Sequence, residues 1–444
     1  MIGSDTGRGS QNMERTAAIL EKLEKIARET IEKCMVSVET RNLGTTADRR
    51  LLLPCGDLKY PSFWIRDCAM SSLSGLIADD ILREYVLIFA SHAQNGPDEI
   101  HLKNGLRVPP WLFCDHLNYT GRPVWYPGTL EDGEDQGTGA FGILPPLDDG
   151  YWFLLMTAQY VNQSGDHGIL LENVCGITLL ERLERAWTAC SIDRDTGLCC
   201  SEDEAYAVDW GFTDTVQKSG KLLFSSILRF HAGRALALLL DEAGERRRAK
   251  ELLARTETIR RAILETFRSP EAGWFRSATG HCGQIDVWGT LYALWCGIPD
   301  EKTAVQIASA VKAAYLDGTL IAVHGYVRHL RTSDDAVPGV TAWERRVTTE
   351  GGYNQYQDGA YWATPTGWLL WALYLADPEL AISAAEDFAD HCEVRAGDGT
   401  PFEWMNADGS EYSGLWYATS AALPYLGMLR IAAEEKERTT HGEL

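Results

Sequence analysis

The sequence lacks the features that mark membrane and nucleic-acid-binding proteins. Its longest apolar run, residues 368–376, is about half as long as the 18 or more residues of a membrane-spanning helix. Basic residues are few, since 41 Lys and Arg stand against 63 Asp and Glu, and the formal net charge is −22. A surface this negative repels phosphate backbones and anionic lipid head groups. We therefore expect neither a nucleic acid nor a membrane as a partner.

Signals for export and for metal binding are also missing. Residues 1–12 have neither the basic nor the apolar region of a secretory signal, and they are predicted to be a disordered leader. The 11 cysteines are odd in number and form no CxxC pair, which is typical of free thiols in a reducing compartment. We expect a cytoplasmic protein that needs neither a metal nor a cofactor.

Apolar residues recur at the helical period along most of the chain, and strand-like alternation is scarce. Apolar spacing and stop signals together predict twelve helices. Their predicted ranges are 13–35, 66–78, 79–94, 149–164, 167–191, 221–241, 243–267, 285–297, 301–316, 359–376, 377–393 and 414–435.

The links between these helices alternate strictly between short turns and long loops. Helices that follow a long loop are apolar almost all round, as at 367–371 in the predicted helix 359–376, whereas helices that follow a short turn are amphipathic, as in 243–267. All-round apolar helices are buried and amphipathic ones face water. The pattern predicts an all-α fold, a closed (α/α)6 toroid with short β pieces in its long loops. It would form one domain over 13–435 with a polar tail at 436–444; an open α-solenoid would need a repeating signature, which is not found.

In such a toroid the long loops meet at the N-terminal ends of the inner helices, where a functional site is expected. Arg66 and Asp67 follow the aromatic pair Phe63-Trp64, and a fork-shaped donor beside an acceptor suits the hydroxyls of a sugar. The alternative is that Asp67 caps its helix and Arg66 pairs locally. Asp148 and Asp149 open another helix, and one of them is expected to face the cavity.

Two further carboxyls stand in apolar surroundings. Among the five acids of 201–220, which include Asp214, we select Asp209, because it follows the apolar run 205–208 and precedes Trp210. Burial there would raise its pKa and keep it protonated, as a general acid requires. Glu403 lies between aromatic residues just before the last helix.

One long loop is unusually basic for so acidic a chain. We name residues 324–346 the basic loop; its cations either bind an anionic group of a substrate or neutralise neighbouring acids. The sequence contains no GxSxG, HExxH, GxxxxGK[ST] or strand-linked GxGxxG motif. Acids, amides and aromatics remain, and paired carboxylates are what the hydrolysis of a glycosidic bond requires.

Over residues 50–430 the chain resembles the six-hairpin glycosidases, a group that includes glucoamylases, trehalases, neutral invertases, amylo-1,6-glucosidase domains and rhamnosidases. FWIRD at 63–67 resembles their W-x-R-D segment, and 148–152 resembles a substrate-facing D-x-x-x-W helix start. YQDGAYW at 356–362 resembles Y-x-N-G-G-x-W, with Asp358 in place of Asn. FEWMN at 402–406 resembles the segment that carries the general base.

The resemblance implies an inverting glycoside hydrolase that acts on a small saccharide, with Asp209 as general acid and Glu403 as general base. The substrate-binding residues that it implies are Trp64, Arg66, Asp67, Asp148, Asp149, Trp152, Trp210, Tyr356, Gln357, Asp358, Trp362 and Trp404. A sugar epimerase or an unsaturated-uronide hydrolase, which would use a His or a single Asp and would recruit His324, His329 and the arginines of the basic loop, is the second hypothesis. A non-catalytic saccharide-binding protein is the third. Homo-oligomerisation stays open.

Overall fold

The computed structural model describes residues 5–39, 48–103, 105–130, 133, 136–137, 139–347 and 351–442. These residues form twelve α-helices, which account for most of the regular structure. The helices are α1 Asp5–Cys34, α2 Ile65–Ser72, α3 Asp79–Ile88, α4 Asp149–Ser164, α5 Leu179–Ala189, α6 Leu223–Glu242, α7 Arg246–Thr266, α8 Val287–Trp295, α9 Glu301–Leu316, α10 Thr366–Ala376, α11 Pro378–Arg395 and α12 Ala418–Gly442.

Short strands occupy the long loops, as the sequence predicted. They pair as two-stranded ribbons, as the three-stranded sheet β3-β6-β7 and as the five-stranded antiparallel sheet β12-β13-β14-β15-β16. The strands are β1 Met35–Glu39, β2 Asp48–Leu52, β3 Phe63–Trp64, β4 Ile100–His101, β5 Arg107–Val108, β6 His116–Leu117, β7 Pro123–Val124, β8 Asn173–Val174, β9 Ile177–Thr178, β10 Cys200–Ser201, β11 Gly220–Lys221, β12 Ala322–Val323, β13 Tyr326–Arg328, β14 Tyr361–Trp362, β15 Trp404–Met405 and β16 Tyr412–Ser413.

The even-numbered helices contact one another in a closed cycle. Each of α2, α4, α6, α8, α10 and α12 contacts the next, and α12 contacts α2. The odd-numbered helices pack against this cycle from outside: α3 on α4, α5 on α4 and α6, α7 on α6, α9 on α8 and α10, and α1 and α11 on α12 and α10, respectively. The chain is therefore mainly α-helical, with alternate helices in two layers.

Local sequence explains why neighbouring helices of a hairpin take different layers. Every residue from Thr366 to Tyr374 in α10 is buried, because TGWLLWALY has no charged face. The turn to α11 is set by Asp377, whose side chain accepts a 3.2 Å hydrogen bond from the Leu380 amide, with Pro378 at the first helical position.

Close approach of two inner helices depends on a glycine. A Cβ atom at Gly367 of α10 would lie 2.1 Å from the carbonyl oxygen of Leu423 in α12. No other residue fits without moving the two backbones apart. Gly367 therefore lets α10 and α12 pack closely, which completes one contact of the cycle.

Two predicted helices are shorter than the sequence indicated, because strands replace their first residues. Residues 173–178 form the β8-β9 hairpin, so that α5 begins at Leu179 instead of residue 167. Residues 361–362 pair between β13 and β15, so that α10 begins at Thr366 instead of residue 359.

The terminal helices are longer than predicted. α1 begins at Asp5, within the predicted leader 1–12, of which residues 1–4 lie outside the described residues. α12 continues to Gly442 through most of the predicted polar tail, and residues 443–444 are outside the described range. Hydrophobic period alone therefore placed both boundaries too far inside the chain.

One helix of the described part, α6, has the length and hydropathy of a membrane span. Its apolar window is 78% buried inside the protein. α6 packs against α4, α5, α7 and α8, so its apolar surface is covered by other helices.

Candidate active site

A cavity of about 530 Å³ opens where the long loops meet. The segments that line it precede or begin α2, α4, α6, α10 and α12. Its lining combines carboxyls, two cations and aromatic rings, and this composition suits a polar ligand with apolar faces. The charged and aromatic lining residues are Lys59, Tyr60, Trp64, Arg66, Asp67, Asp115, Phe141, Phe212, Asp214, Tyr356, Glu403, Trp404 and Tyr417.

Arg66, in the first turn of α2, is held by three carboxylates. Its Nε and Nη2 donate to Asp148 at 2.6 and 3.1 Å, and Nη2 also donates to Asp115 at 3.2 Å. Asp149 is the third partner, at 3.3 Å. Burial, together with the charges of Asp148 and Asp115, raises the pKa of Asp149 well above its usual range. The guanidinium is thus fixed in one orientation with its edge at the cavity.

Asp148 and Asp149 do not line the cavity. Asp148 precedes α4, but its side chain makes no capping hydrogen bond. It accepts instead from Arg66 and, at 3.2 Å, from the Trp152 indole nitrogen. The two carboxyls therefore hold the Arg66 guanidinium from the side away from the cavity lining. The expectation that one of them faces the cavity is not met by this geometry.

Gly211 brings a second loop directly against Arg66. A Cβ atom at this position would lie 1.9 Å from the Arg66 Cζ atom, so only glycine fits. Its amide points to Asp148 Oδ2 at 3.4 Å. This contact places the short 3₁₀ turn Gly211–Thr213 beside the guanidinium.

Asp67 and Trp64 lie in the cavity, as the FWIRD segment predicted. Asp67 accepts a 2.8 Å hydrogen bond from the Tyr417 hydroxyl, and Trp64 donates to Asp115 at 3.1 Å while stacking on His116 at 4.3 Å. Burial raises the pKa of Asp67 to about 7. Acceptors and donors thus line one end of the cavity.

Asp67→Asn is expected to stabilise the protein at alkaline pH. An unfolded Asp ionises near pH 3.9, whereas Asp67 in the folded protein keeps its proton up to about pH 7. Folding therefore becomes less favourable as pH rises between these values. We expect the variant to exceed the wild type by about 2–4 kcal/mol at pH 8 and by little at pH 4.5. Denaturant unfolding at both pH values tests this, and an equal difference at both would contradict it.

Glu403 lines the same cavity and is paired with a lysine. Its two oxygens accept from the Tyr60 hydroxyl at 2.8 and 2.9 Å, and Oε2 pairs with the Lys59 ammonium at 3.2 Å. Burial raises the pKa of Glu403, although Lys59 and Tyr60 oppose this. Its amide donates to the carbonyl of Gly414 at 2.8 Å, which fixes the start of β15. Such a carboxylate is equipped to accept a proton.

Asp214 follows the 3₁₀ turn and reaches the same cavity. Its Oδ1 is buried and has no hydrogen-bond partner among the described residues. Burial, and then the negative charge of Asp115, raises the pKa of Asp214 to about 7. The cavity therefore combines a carboxyl that keeps a proton near neutral pH with the lysine-paired Glu403.

Asp209, the predicted general acid, does not line the cavity. Its Oδ2 pairs with the Lys218 ammonium at 2.8 Å, and its Oδ1 accepts from the Ser225 hydroxyl at 2.6 Å. The residue is buried, as its apolar flanks predicted, at 1% exposure. Burial here accompanies an ion pair, so both oxygens are occupied by protein donors.

The predicted tryptophans divide between cavity and core. Trp64 and Trp404 line the cavity and are partly exposed. Trp152 and Trp210 are each 1% exposed, and Trp362 is fully buried. The last three therefore pack in the core instead of lining the cavity.

The segment around Tyr356 has one residue in the cavity. Tyr356 lines the cavity, and the Trp362 indole donates to its carbonyl at 3.1 Å. Gln357 is buried and accepts from the Thr215 amide at 2.9 Å. Asp358 is buried and accepts from Arg346 at 3.2 Å. Gln357 and Asp358 thus hold neighbouring loops together.

The basic loop supplies no residue to the cavity lining in the described part of the chain. Arg328 forms a fully buried pair with Asp335 at 2.7 Å, and Arg345 lies 3.7 Å from Asp203. His329 is buried and packs against an aromatic ring. These cations neutralise carboxylates of the loops, which is the second of the two roles considered.

Metal-ligating side chains are not grouped in the part of the chain that is described, where no three His, Cys, Asp or Glu form a metal-binding cluster. The densest group of carboxylates surrounds the guanidinium of Arg66. An arginine therefore supplies the positive charge at that point.

Solved structures share this architecture. A rhamnosidase from Klebsiella oxytoca with rhamnose bound matches 93% of this chain and 64% of its own length, with a TM-score of 0.57 and 13% identity. A GH63 mannosylglycerate hydrolase from Thermus thermophilus, in complex with Tris and D-glycerate, matches 91% of this chain and 99% of its own (TM-score 0.57, 14% identity). A glucoamylase from Saccharomycopsis fibuligera matches 94% of this chain and 96% of its own, with a TM-score of 0.55 and 11% identity. The likeness establishes the fold.

Sequence comparison adds no closer relation. Neither a scan against family models nor a search of curated proteins found a match. The chain spans less than two thirds of the rhamnosidase chain, and identities of 11–14% to the three structures leave the assignment of chemistry to the site itself.

Several lining residues were not selected from the sequence. In the sequence Asp214 is one of five acids in its loop, and the more apolar flanks of Asp209 favour that residue instead. Lys59 and Tyr60 lie just upstream of the FWIRD segment, and Tyr417 immediately precedes α12. Their common signal is position, since each lies at most nine residues before the start of one of the even-numbered helices.

Proposed function

We propose that this protein is a glycoside hydrolase built on an (α/α)6 toroid, with Asp214 as general acid and Glu403 as general base. The observation that carries the proposal is that both carboxyls line one cavity in different surroundings: burial raises the pKa of Asp214 to about 7, whereas Glu403 pairs with the Lys59 ammonium at 3.2 Å. Such a separation of acid and base roles is what the hydrolysis of a glycosidic bond requires. The closed contact cycle of the even-numbered helices supports the toroid.

The proposed reaction proceeds with inversion. Asp214 donates its proton to the glycosidic oxygen as the bond from that oxygen to the anomeric carbon breaks. Glu403 takes a proton from a water that attacks the anomeric carbon from the opposite face. The products are the free alcohol and a sugar of inverted configuration, and proton exchange with solvent restores both carboxyls.

Binding of the sugar is assigned to the polar end of the cavity. Asp67 offers acceptor oxygens and Arg66 a guanidinium edge, so vicinal hydroxyls find both kinds of partner. The rings of Trp64, Tyr356 and Trp404 offer flat apolar faces to the C–H side of a sugar. A cavity of about 530 Å³ is in the size range of small-molecule sites.

Hydrolysis is favoured over the second hypothesis by the position of the histidines. His324 pairs with Asp387 at 3.0 Å and His329 is buried, and neither lines the cavity. Among the described residues no other histidine lines it either. An epimerase or lyase-like reaction that relies on a cavity histidine therefore lacks its catalytic group in this geometry.

The wild-type protein is expected to hydrolyse at least one member of a panel of glycosides and disaccharides with inversion. The panel contains glucosides, rhamnosides, mannosides including mannosylglycerate, fructosides and uronides, and the first product anomer is followed by NMR. An inverted product supports the proposed pair. A retained configuration contradicts the roles of Asp214 and Glu403, and saccharide binding without any turnover contradicts hydrolysis.

A further inference from the structure

A buried ion pair closes the base of the loop that carries Asp214. Asp209 and Lys218 are each 1% exposed, and their charged atoms lie 2.8 Å apart. The residues between them form a loop of which Gly211, Phe212, Asp214 and Thr215 line the cavity. The pair therefore joins the two ends of the segment that presents the proposed acid.

Each end of this loop is attached to an inner helix. Asp209 accepts from the hydroxyl and the amide of Ser225, in the first turn of α6, at 2.6 and 3.1 Å. Lys218 lies 4.0 Å from Asp286, whose side chain caps α8 by accepting from the Gly289 amide at 2.7 Å. The loop base is thus anchored to α6 and α8 at once.

The Gln357 side chain hydrogen-bonds to the carboxyl of Asp214. The Oδ1 atom of Asp214, however, is buried without a hydrogen-bond partner among the described residues, so the place of the carboxyl also depends on the backbone of the loop. Gln357 holds the middle of that backbone, through the Thr215 amide at 2.9 Å and the Gly211 carbonyl at 3.2 Å. The ion pair holds the ends.

We propose that Asp209 and Lys218 are positioning residues that hold Asp214 at the depth where it protonates the leaving group, without themselves touching the substrate. This inference rests on the proposed function, because it concerns the general acid of that reaction. Misplacement of a catalytic group by about 1 Å can lower a rate by about 10²-fold.

Asp209→Asn is the test, because it removes the charge and keeps the size of the side chain. We expect kcat for an alkyl glycoside or disaccharide to fall by about 10–100-fold, with KM changed less than about threefold. For the corresponding glycosyl fluoride, whose leaving group needs little protonation, we expect a rate within about threefold of wild type. The fall in activity above about pH 7, caused by ionisation of Asp214, is expected to persist.

Two further variants separate positioning from stability. Asp335→Asn disrupts another fully buried ion pair, with Arg328, outside the cavity lining, and it is expected to keep the wild-type ratio of the two rates. Ser225→Ala removes one hydrogen bond to Asp209 but leaves its ion pair, and a smaller loss in the same direction is expected. This second variant tests the proposal even where Asp209→Asn folds poorly.

The outcomes distinguish failure of the positioning role from failure of the proposed hydrolase function. Equal losses on both substrates, or unchanged kinetics in folded Asp209→Asn, overturn the positioning role alone. Loss of the alkaline fall in Asp209→Asn overturns it as well, because Asp209 would then be the acid. Absence of hydrolysis by the wild type on the whole panel overturns the proposed function itself.

Discussion

Asp214→Asn is expected to lower the hydrolysis of alkyl glycosides and disaccharides by about 10²–10⁴-fold, the usual contribution of general acid catalysis. Asn has nearly the same shape but no proton to give to the glycosidic oxygen. A glycosyl fluoride should lose much less activity. Glu403→Gln should lower the rates of hydrolysis of both kinds of substrate by a similar factor, because water must be activated whichever group leaves.

The pH profile provides a second readout of the same pair. In the wild type, kcat/KM should fall above about pH 7, where Asp214 loses its proton. It should also fall on the acidic side, as Glu403 gains one. Asp214→Asn is expected to abolish the alkaline fall and keep the acidic one.

A nearby exposed acid offers a matched control. Glu204, on the same long loop, is exposed and does not line the cavity, so Glu204→Gln should leave both rates and the pH profile unchanged. If the alkaline fall survives in Asp214→Asn, another carboxyl donates the proton, and Asp67, whose pKa also lies near 7, is the next candidate.

Lys218→Met is expected to cause the largest loss of stability, about 3–5 kcal/mol, as is usual when one partner of a buried ion pair is removed. The ammonium lies 2.8 Å from Asp209 and 4.0 Å from Asp286. Without it, two buried carboxylates face each other with no cation between them. Asp209→Asn should cost less, because Lys218 keeps Asp286 as a partner. Denaturant and thermal unfolding measure both losses.

Dependence on pH identifies the cause of this loss. Burial already raises the pKa of Asp286 and the charge of Lys218 opposes this, so without Lys218 the pKa of Asp286 should rise further. Raised carboxyl pKa values stabilise the folded state at low pH and destabilise it as pH increases. The deficit of Lys218→Met should therefore be smaller at pH 5 than at pH 8, and the added change Asp209→Asn should restore part of it. A deficit independent of pH would indicate lost packing instead.

The helical hairpins could be predicted because their signals are local. A run such as TGWLLWALY in α10 has no polar face, so its burial can be predicted from the run alone. The next helix, α11, follows the capping residue Asp377 and begins at Pro378, which is a start signal of its own. The start of α10 could not be predicted, because Tyr361 and Trp362 pair with strands that are distant in sequence. Hydrophobic period does not distinguish such a strand from a first helical turn.

The site could be predicted only where its residues are adjacent in sequence. Trp64, Arg66 and Asp67 fall in one segment at the start of α2, and all three line the cavity. The choice between Asp209 and Asp214 could not be made in this way. Apolar flanks indicate burial, but they do not show whether a buried carboxyl meets a lysine or a cavity.

The packing of α1 on α11 and α12 has a consequence for how the chain is made. α1 is synthesised before α11 and α12, on which it packs, and Arg15 pairs with Glu386 across 371 positions at 2.6 Å. At about 5–20 residues per second, the apolar face of α1 waits roughly 20–80 s on the ribosome for its partner. During that interval it is a surface for chaperones and for aggregation. Changes to the α1–α12 contact should therefore act on the yield of folded protein as well as on its stability.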